Sequence, residues 1–239
     1  MPDLFQPIAS DTPFRFHCGP EVTCFNACCR NLNQFLYPYD VARMACSLGL
    51  SAASFLARYT RRHIGPKTGL PVVSLKPQAG PQQLCPLVTP GGCKVYDDRP
   101  ASCRLYPLAR AVVHAAGPGP PQARFALVRE GHCQGHGGSQ QWDPPGWIDN
   151  QGLAPYNRNN DPMLAVIGFK RRHHPQPLPP QVSDALYGAL YLLADQRGAS
   201  DDKSGQQLNG SAPFDLATFE ADLAAAYETV LQILKESAR

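Results

Sequence analysis

The placing of cysteine constrains this chain more than any other feature. Four thiols fall within twelve residues, as Cys18-x5-Cys24-x3-Cys28-Cys29, and Cys85, Cys93, Cys103 and Cys133 follow at wider spacing. Cys46 belongs to no such pattern, and residues 134–239 contain no cysteine. Gly19-Pro20 and Asn26-Ala27 are turn-permitting spacers, so the first four thiols can fold round one centre at small entropic cost, because the closed loops are short. The later cysteines reach them only through the tertiary fold. Neighbouring side chains such as Cys28 and Cys29 diverge by about 100° on a helix and lie on opposite faces of a strand. One can ligate while the other serves a second centre or packs beneath it. Eight thiols thus divide as four plus four, or as one four-ligand site with spares, and spacing leaves both open.

Composition narrows the setting. A length of 239 residues makes one domain or at most two. Only 17% of residues are charged, against about 25% in ordinary soluble domains. With 25 prolines and 20 glycines the chain is loop-rich. A net charge of +3 is too small to imply nucleic acid by itself. No apolar run approaches the roughly 18–20 residues that cross a bilayer, and the opening residues lack the basic and apolar regions of a secretory signal. These features predict a cytoplasmic chain without a membrane partner. In a reducing compartment clustered thiols are metal ligands or catalytic groups rather than disulfides.

Patterning predicts an α+β architecture. Residues 1–17 read as an irregular lead-in closing on a short strand at Phe14-Arg-Phe16. Asp40 caps a helix whose stripe is Val41, Met44, Ala45 and Leu48, ended by Gly49; Ser51 caps a second with Phe55, Leu56 and Tyr59, running to Arg61-Arg-His63. Short strands are expected at Val72–Leu75, Leu84–Val88 and Cys93–Tyr96, and a longer pair at Leu108–His114 and Ala123–Glu130. A turn or short helix from Asp98 carries Cys103. Asp143-Pro144 and Asp161-Pro162 announce short helices at Trp147-Ile148 and Met163–Phe169. Amphipathic helices follow at Gln181–Arg197 and Phe214–Glu236, joined by a polar linker over 198–213 that reads as mobile. The expectation is a cysteine-centred, loop-rich domain over 1–135 and a helical extension over 136–239 packed on it.

Spacing does not choose the metal. Structural zinc favours paired C-x2–4-C knuckles, which only Cys24-x3-Cys28 and Cys133-x2-His136 approach. All-thiolate tetrahedral sites suit zinc and iron–sulfur centres alike. Arg99 and Arg104 flank Cys103, where a guanidinium offsets the negative charge of several thiolates, which tilts the reading toward iron–sulfur.

The string FHC…TCFNACC, the Tyr37-Pro-Tyr-Asp40 helix start, CPLV…GGCKVYDDRPASCRLYP and the later Cys133 together resemble the YkgJ-type cysteine-cluster family, a zinc- or iron-chelating domain. The likeness covers about residues 14–135. The family opens with CxxCxxCC, whereas the spacings here are five and three, as in a longer-loop branch. The resemblance implies metal ligation by Cys18, Cys24, Cys28, Cys29, Cys85, Cys93, Cys103 and Cys133, with an iron–sulfur cluster (4Fe-4S) or zinc as the group held. Related cysteine-rich segments occur in flagellin lysine methylases, so an iron–sulfur enzyme acting on a peptide or small molecule stands as the alternative, beside a structural zinc protein.

Other residues carry plainer readings. Cys46 reads as a core residue of the Asp40 helix. His136, among glycines, reads as a solvated histidine, and His17 and His132 rank lower still as ligands. Lys170-Arg-Arg-His-His174 complements a helix carboxyl end more readily than it binds nucleic acid. Tyr156–Asp161 is polar enough to suggest a substrate pocket, although capping by Asp161 explains part of it. No C-x3-C-x2-C triplet, G-x-G-x-x-G after a strand, P-loop or C-x-x-C pair occurs.

Overall fold

The computed structural model describes residues 4–31, 33–113, 122–193 and 216–237. It forms two compact units interleaved in sequence, Met1–Leu32 with Pro77–Asn157 and Asn33–Lys76 with Arg158–Arg239. The division expected from the sequence, at residue 135, is contiguous. Elements are numbered in chain order, so β3–β5 and the first two helices belong to the second unit.

In the first unit an antiparallel sheet runs β1 (Phe5–Ile8), β9 (Gln122–Val128), β8 (Leu108–Val113). Leu108 stands opposite Leu127 and Phe5 opposite Val128. The long strand pair is as expected; its His114 end lies outside the described residues. β1 corrects the irregular lead-in. Phe5, Gln6 and Pro7 are exposed, so no alternation marks a strand; pairing with β9 creates it, and an edge tolerates Pro7, which has no N–H to donate. β2 (Phe14–Arg15) pairs with β10 (Gln141–Trp142). Phe14, Phe16, Leu108, Leu127 and Trp147 form the buried core, joined at its edge by Cys133 and Trp142. Trp147 packs edge-on against Phe16 at 5.5 Å between centroids, and its indole N–H donates to the Leu105 carbonyl at 3.0 Å. Asp143 caps α4 (Pro144–Asn150), accepting from the Gly146 amide at 2.7 Å.

The strands expected at Leu84–Val88 and Cys93–Tyr96 shrink to two-residue pieces, β6 (Val88–Thr89) and β7 (Gly92–Cys93). Prolines at 86 and 90 remove donors, and residues 96–98 form a separate tight turn. The helix carrying Cys103, α3 (Ala101–Leu105), therefore starts after Pro100 rather than at Asp98.

In the second unit β3 (Phe35–Leu36), β5 (Pro71–Leu75) and β4 (Thr60–Ile64) form an antiparallel sheet in that order. Helices α1 (Pro38–Ser47), α2 (Ala52–Tyr59), α6 (Met163–His173), α7 (Pro180–Tyr191) and α8 (Leu216–Ser237) supply the rest. Val41, Met44 and Ala45 are buried as the stripe predicts. Tyr37, not Asp40, is the N-cap of α1; Asp40 accepts from the Tyr37 amide at 2.9 Å, one half of a capping box. Cys46 is exposed, which overturns its core placement: it stands on the side of α1 away from Met44 and Ala45. Ser51 caps α2, accepting from Ser54 at 3.1 Å, but the helix stops at Tyr59 and Arg61–His63 continue as strand.

Asp161 does not cap α6; the first amides of that helix go to the backbone carbonyls of Asp161 and Pro162. The polar stretch before it is helical, α5 (Ala154–Asn160), a helix the sequence reading lacked. The apolar positions spaced three and four apart in the Phe214–Glu236 helix begin with Leu216, which is half-buried in α8; Phe219, Leu223, Ala226, Val230 and Leu234 are buried. The linker expected at 198–213 lies outside the described residues, as does the end of the Gln181–Arg197 helix. The protein is thus α+β, with short antiparallel strands and carboxyl-terminal helices. Among the described residues no helix is long and apolar enough to cross a membrane.

Candidate metal centre

The first cysteine run is a chain of tight turns in the first unit. Val22, Phe25, Ala27 and Cys29 each donate their amide to the carbonyl three residues back, at 3.0, 2.8, 2.9 and 3.1 Å. Such curling is what brings Cys18, Cys24, Cys28 and Cys29 round within so few residues. Asn26 sits at φ +66°, a left-handed conformation that asparagine accepts readily, and opens the single 3-10 turn Ala27–Cys29.

Three other segments are tied to this run by hydrogen bonds. Cys24 Sγ accepts from the Gln134 amide at 3.2 Å, Thr23 Oγ1 donates to Gln134 Oε1, and the His17 amide donates to the Gly135 carbonyl at 3.0 Å. These hold the Cys133 loop beside Cys18 and Cys24. The Cys85 amide donates to the Cys29 carbonyl at 2.8 Å, and the Asn31 amide to Gln82 at 3.0 Å. Asn26 Nδ2 reaches the Thr89 carbonyl at 3.1 Å. Gly92, at φ +119°, lies so near Phe25 that a Cβ there would come within 3.3 Å of the ring, which seats the β6–β7 hairpin and its Cys93 against the run.

All nine cysteines are free thiols. Cys18 lies in the field of Cys28, Cys24 and Cys133, and Cys29 in that of Cys28, Cys85 and Cys103. Hydrogen bonds thus draw the Cys133 loop and the 85–93 segment to the 18–29 run within the first unit, whereas Cys46 belongs to α1 of the second. Burial, then neighbouring thiols, pushes Cys18 up to about 11; burial likewise raises Cys85 and Cys93. The interaction between the Cys28 and Cys29 thiols lowers the pKa of Cys28 and raises that of Cys29. Tyr106 is raised by burial and by its hydroxyl contact with Cys133.

The two flanking arginines do different work. Arg99 stacks on Tyr96, 4.0 Å from its ring centre, and lies in the field of Cys93 and Cys103. Arg104 is buried and clamps the backbone instead: its guanidinium donates to the carbonyls of Gln151 at 2.7 Å, Arg99 at 3.1 Å and Asp97, and lies 4.8 Å from the Tyr156 ring centre. Nothing in its sequence context marks that clamp.

The histidines are engaged elsewhere. His17 pairs with Glu21, and that hydrogen bond raises its pKa. His132 pairs with Glu130 at 3.6 Å. His136 is not the solvated loop residue expected, since its Nε2 meets the Val128 carbonyl at 3.0 Å and its ring packs edge-on against Phe16 at 5.4 Å. In the second unit the basic run at 170–174 is only partly engaged: Lys170 is buried and donates to Gln176 at 3.1 Å and His174 meets the Leu234 carbonyl at 2.7 Å, while Arg171, which donates to Lys67, Arg172 and His173 are exposed. One pocket of about 320 Å³ adjoins Asp11, Trp142 and Asp143 in the first unit; another of about 180 Å³ adjoins Asn159, Glu220 and Tyr227 in the second. Neither is lined by cysteine.

Among the described residues, no three His, Cys, Asp or Glu side chains converge closely enough to hold one ion as they stand. The donor chemistry nonetheless fits a thiophilic metal. Cys18, Cys29 and Cys85 are raised by burial and by the thiols beside them, and a cation relieves that repulsion while displacing the protons. Residues 17–134 match the model of the CxxCxxCC family, described as "Putative zinc- or iron-chelating domain". No curated protein and no solved structure matches the chain.

Proposed function

We propose, for a chain that belongs over residues 17–134 to the CxxCxxCC family of zinc- or iron-chelating domains, that its thiolates hold an iron–sulfur cluster of the 4Fe-4S kind. The ligands come from Cys18, Cys24, Cys28, Cys29, Cys85, Cys93, Cys103 and Cys133. The observation that carries this reading is that hydrogen bonds to Cys24 and Cys29 hold the Cys133 loop and the 85–93 segment against the 18–29 run, with Cys103 of α3 in the field of Cys29. Iron–sulfur is favoured over zinc by Arg99, whose guanidinium offsets negative charge at Cys93 and Cys103; fixed charge near the sulfurs is one of the levers on such a cluster.

The test is anaerobic purification followed by visible spectroscopy and metal analysis. A brown protein containing iron and acid-labile sulfide is the expected result. A colourless protein with stoichiometric zinc makes this a zinc-chelating protein instead. Protein that takes up neither metal under reducing conditions overturns the reading. Cytoplasmic location is part of the same proposal, since free thiol ligands persist where glutathione and thioredoxin keep them reduced.

A further inference from the structure

We propose that one face of the β3–β5–β4 sheet in the second unit, with the basic loop and helix end beside it, is a docking surface for single-stranded nucleic acid. The surface contains none of the candidate metal ligands, and the inference is independent of the metal-holding reading above.

Between Asp40 and Asp97 the chain carries seven lysines and arginines and no acidic residue, so the overall charge of +3 conceals a strongly basic stretch. Strand register decides which of its side chains share a face. Residues directly opposite one another in an antiparallel sheet project to the same side, and Phe35, Ser74 and Arg61 stand in one such row. His63, two residues along β4 from Arg61, joins them, and its ring lies 5.5 Å from that of Phe35. Leu36, Val73 and Arg62 form the next row and project to the other side. That side packs against α7, where Arg62 pairs with Asp184 at 2.6 Å and lies 4.3 Å from the Tyr187 ring centre. On the first side Phe35 keeps 42% of its surface exposed, and Arg61 is exposed in the same row.

Charge from a distant part of the chain is added by the fold. Arg171, in the last turn of α6, donates from Nε at 3.3 Å and from Nη2 at 3.0 Å to the Lys67 carbonyl, in the loop that joins β4 to β5. This sets Arg171 and Arg172 beside Lys67, at the end of the strand that carries Arg61 and His63. All four cations are exposed, and among the described residues none of them is paired with a carboxylate, unlike Arg62. The α6 dipole accounts for the two arginines at its own carboxyl end. It does not account for Arg61 and Lys67, which come from β4 and its loop. Rings on an open sheet face, bordered by unpaired cations, supply the two things a single strand binds: surfaces on which bases stack, and positive charge for the phosphates. An anionic bilayer draws on the same cations but rewards a broad apolar face for insertion, and here Phe35 is the one large apolar side chain exposed in its row.

The experiment titrates the full chain, purified anaerobically, into fluorescently labelled oligothymidylate of about twelve nucleotides and follows anisotropy. Micromolar binding is expected at about 50 mM salt, with the logarithm of the association constant falling against log salt at a slope of about −3, as phosphate contacts by these four cations predict. Phe35→Ala should weaken binding by about tenfold and leave the slope unchanged, because a stacking ring carries no charge. Arg61→Glu, and Arg171→Glu combined with Arg172→Glu, should weaken binding by about tenfold or more and flatten the slope. Arg124→Glu, an exposed charge reversal on β9 of the first unit, should leave binding unchanged. Absence of binding at this salt, equal weakening by Arg124→Glu, or binding that Phe35→Ala leaves untouched overturns the proposal. Tighter binding to vesicles of anionic phospholipid than to the oligonucleotide overturns it as well. Melts establish that each variant is folded; Phe35→Leu, which keeps the apolar bulk without the ring, replaces the alanine variant if that one is not, and the parent's own titrations against oligonucleotide and vesicle need no variant.

Discussion

The two units are held together by different means. The second is built on apolar packing: Tyr39, Met44, Phe55, Leu70, Val73, Leu186, Leu190, Leu223 and Leu234 are nearly or wholly without solvent exposure. The first has a smaller aromatic core, and much of its chain is turns with few apolar side chains, curled round thiols. Small, loop-rich structures bury too little apolar surface to offset the entropy of ordering their backbone, and disulfides or metals usually make up the difference. A bound metal is therefore expected to stabilise the first unit far more than the second.

Removing metal is the most severe way to break that comparison. A structural zinc site is worth about 10–16 kcal/mol, against a net stability of about 5–15 kcal/mol for a whole domain. Chelator with reductant should abolish hydrogen-exchange protection across the described parts of 14–31 and 77–157. Protection in 38–76 and 163–191 should survive. Simultaneous loss in both units would show that the second, too, depends on metal.

The converse experiment strikes the second unit. Leu223→Ala removes a fully buried side chain from α8 and should destabilise by about 2–5 kcal/mol in a thermal or denaturant melt. Metal content per chain should not change. Arg104→Ala comes next, at about 2–3 kcal/mol, since it leaves the carbonyls of Asp97, Arg99 and Gln151 without their donor. Unlike the leucine variant, it should also lower metal occupancy, because the same clamp holds α3 and its Cys103.

Helix caps sharpen the comparison on a finer scale. Ser51→Ala in the second unit and Asp143→Ala in the first each remove one side-chain acceptor, and each should destabilise by about 1 kcal/mol. The Ser51 effect should be the same with or without metal, whereas the Asp143 effect should be measurable only in metal-loaded protein. The smallest effect concerns pH. Burial lowers the pKa of His136, so the unfolded chain binds more protons on it between its folded value and about 6.5. Its contribution is present above about pH 6.5 and fades as the pH falls through that window. His136→Gln should flatten this portion of the pH–stability curve, read from melts of metal-loaded protein.

Local chemistry was legible wherever the cause lay within a few residues. Ser51 and Asp143 were identifiable as caps, the α8 stripe as a buried face, and Leu108–Val113 with Gln122–Val128 as paired strands, because spacing and side-chain type suffice for each. β1 escaped detection because its exposed residues show no pattern and its partner is more than a hundred residues away. Cys46 reads as core from its place on an apolar helix, whereas α1 turns it outward. His136 is the opposite case: its glycine neighbours suggest a loose loop, yet Phe16 packs against the ring and the Val128 carbonyl meets its Nε2.

The sequence by itself determined the supply of thiols: where the eight candidate ligands stand among nine cysteines, how tightly the first four can be curled, and that Cys28 and Cys29 must point apart at the backbone. Only the tertiary structure decided which segment meets which end of that run. The Cys133 loop is separated from Cys24, and Cys85 from Cys29, by tens of residues, and spacing does not encode such separations. They are set by the Gln134 and Cys85 amides finding their acceptors once the chain has folded.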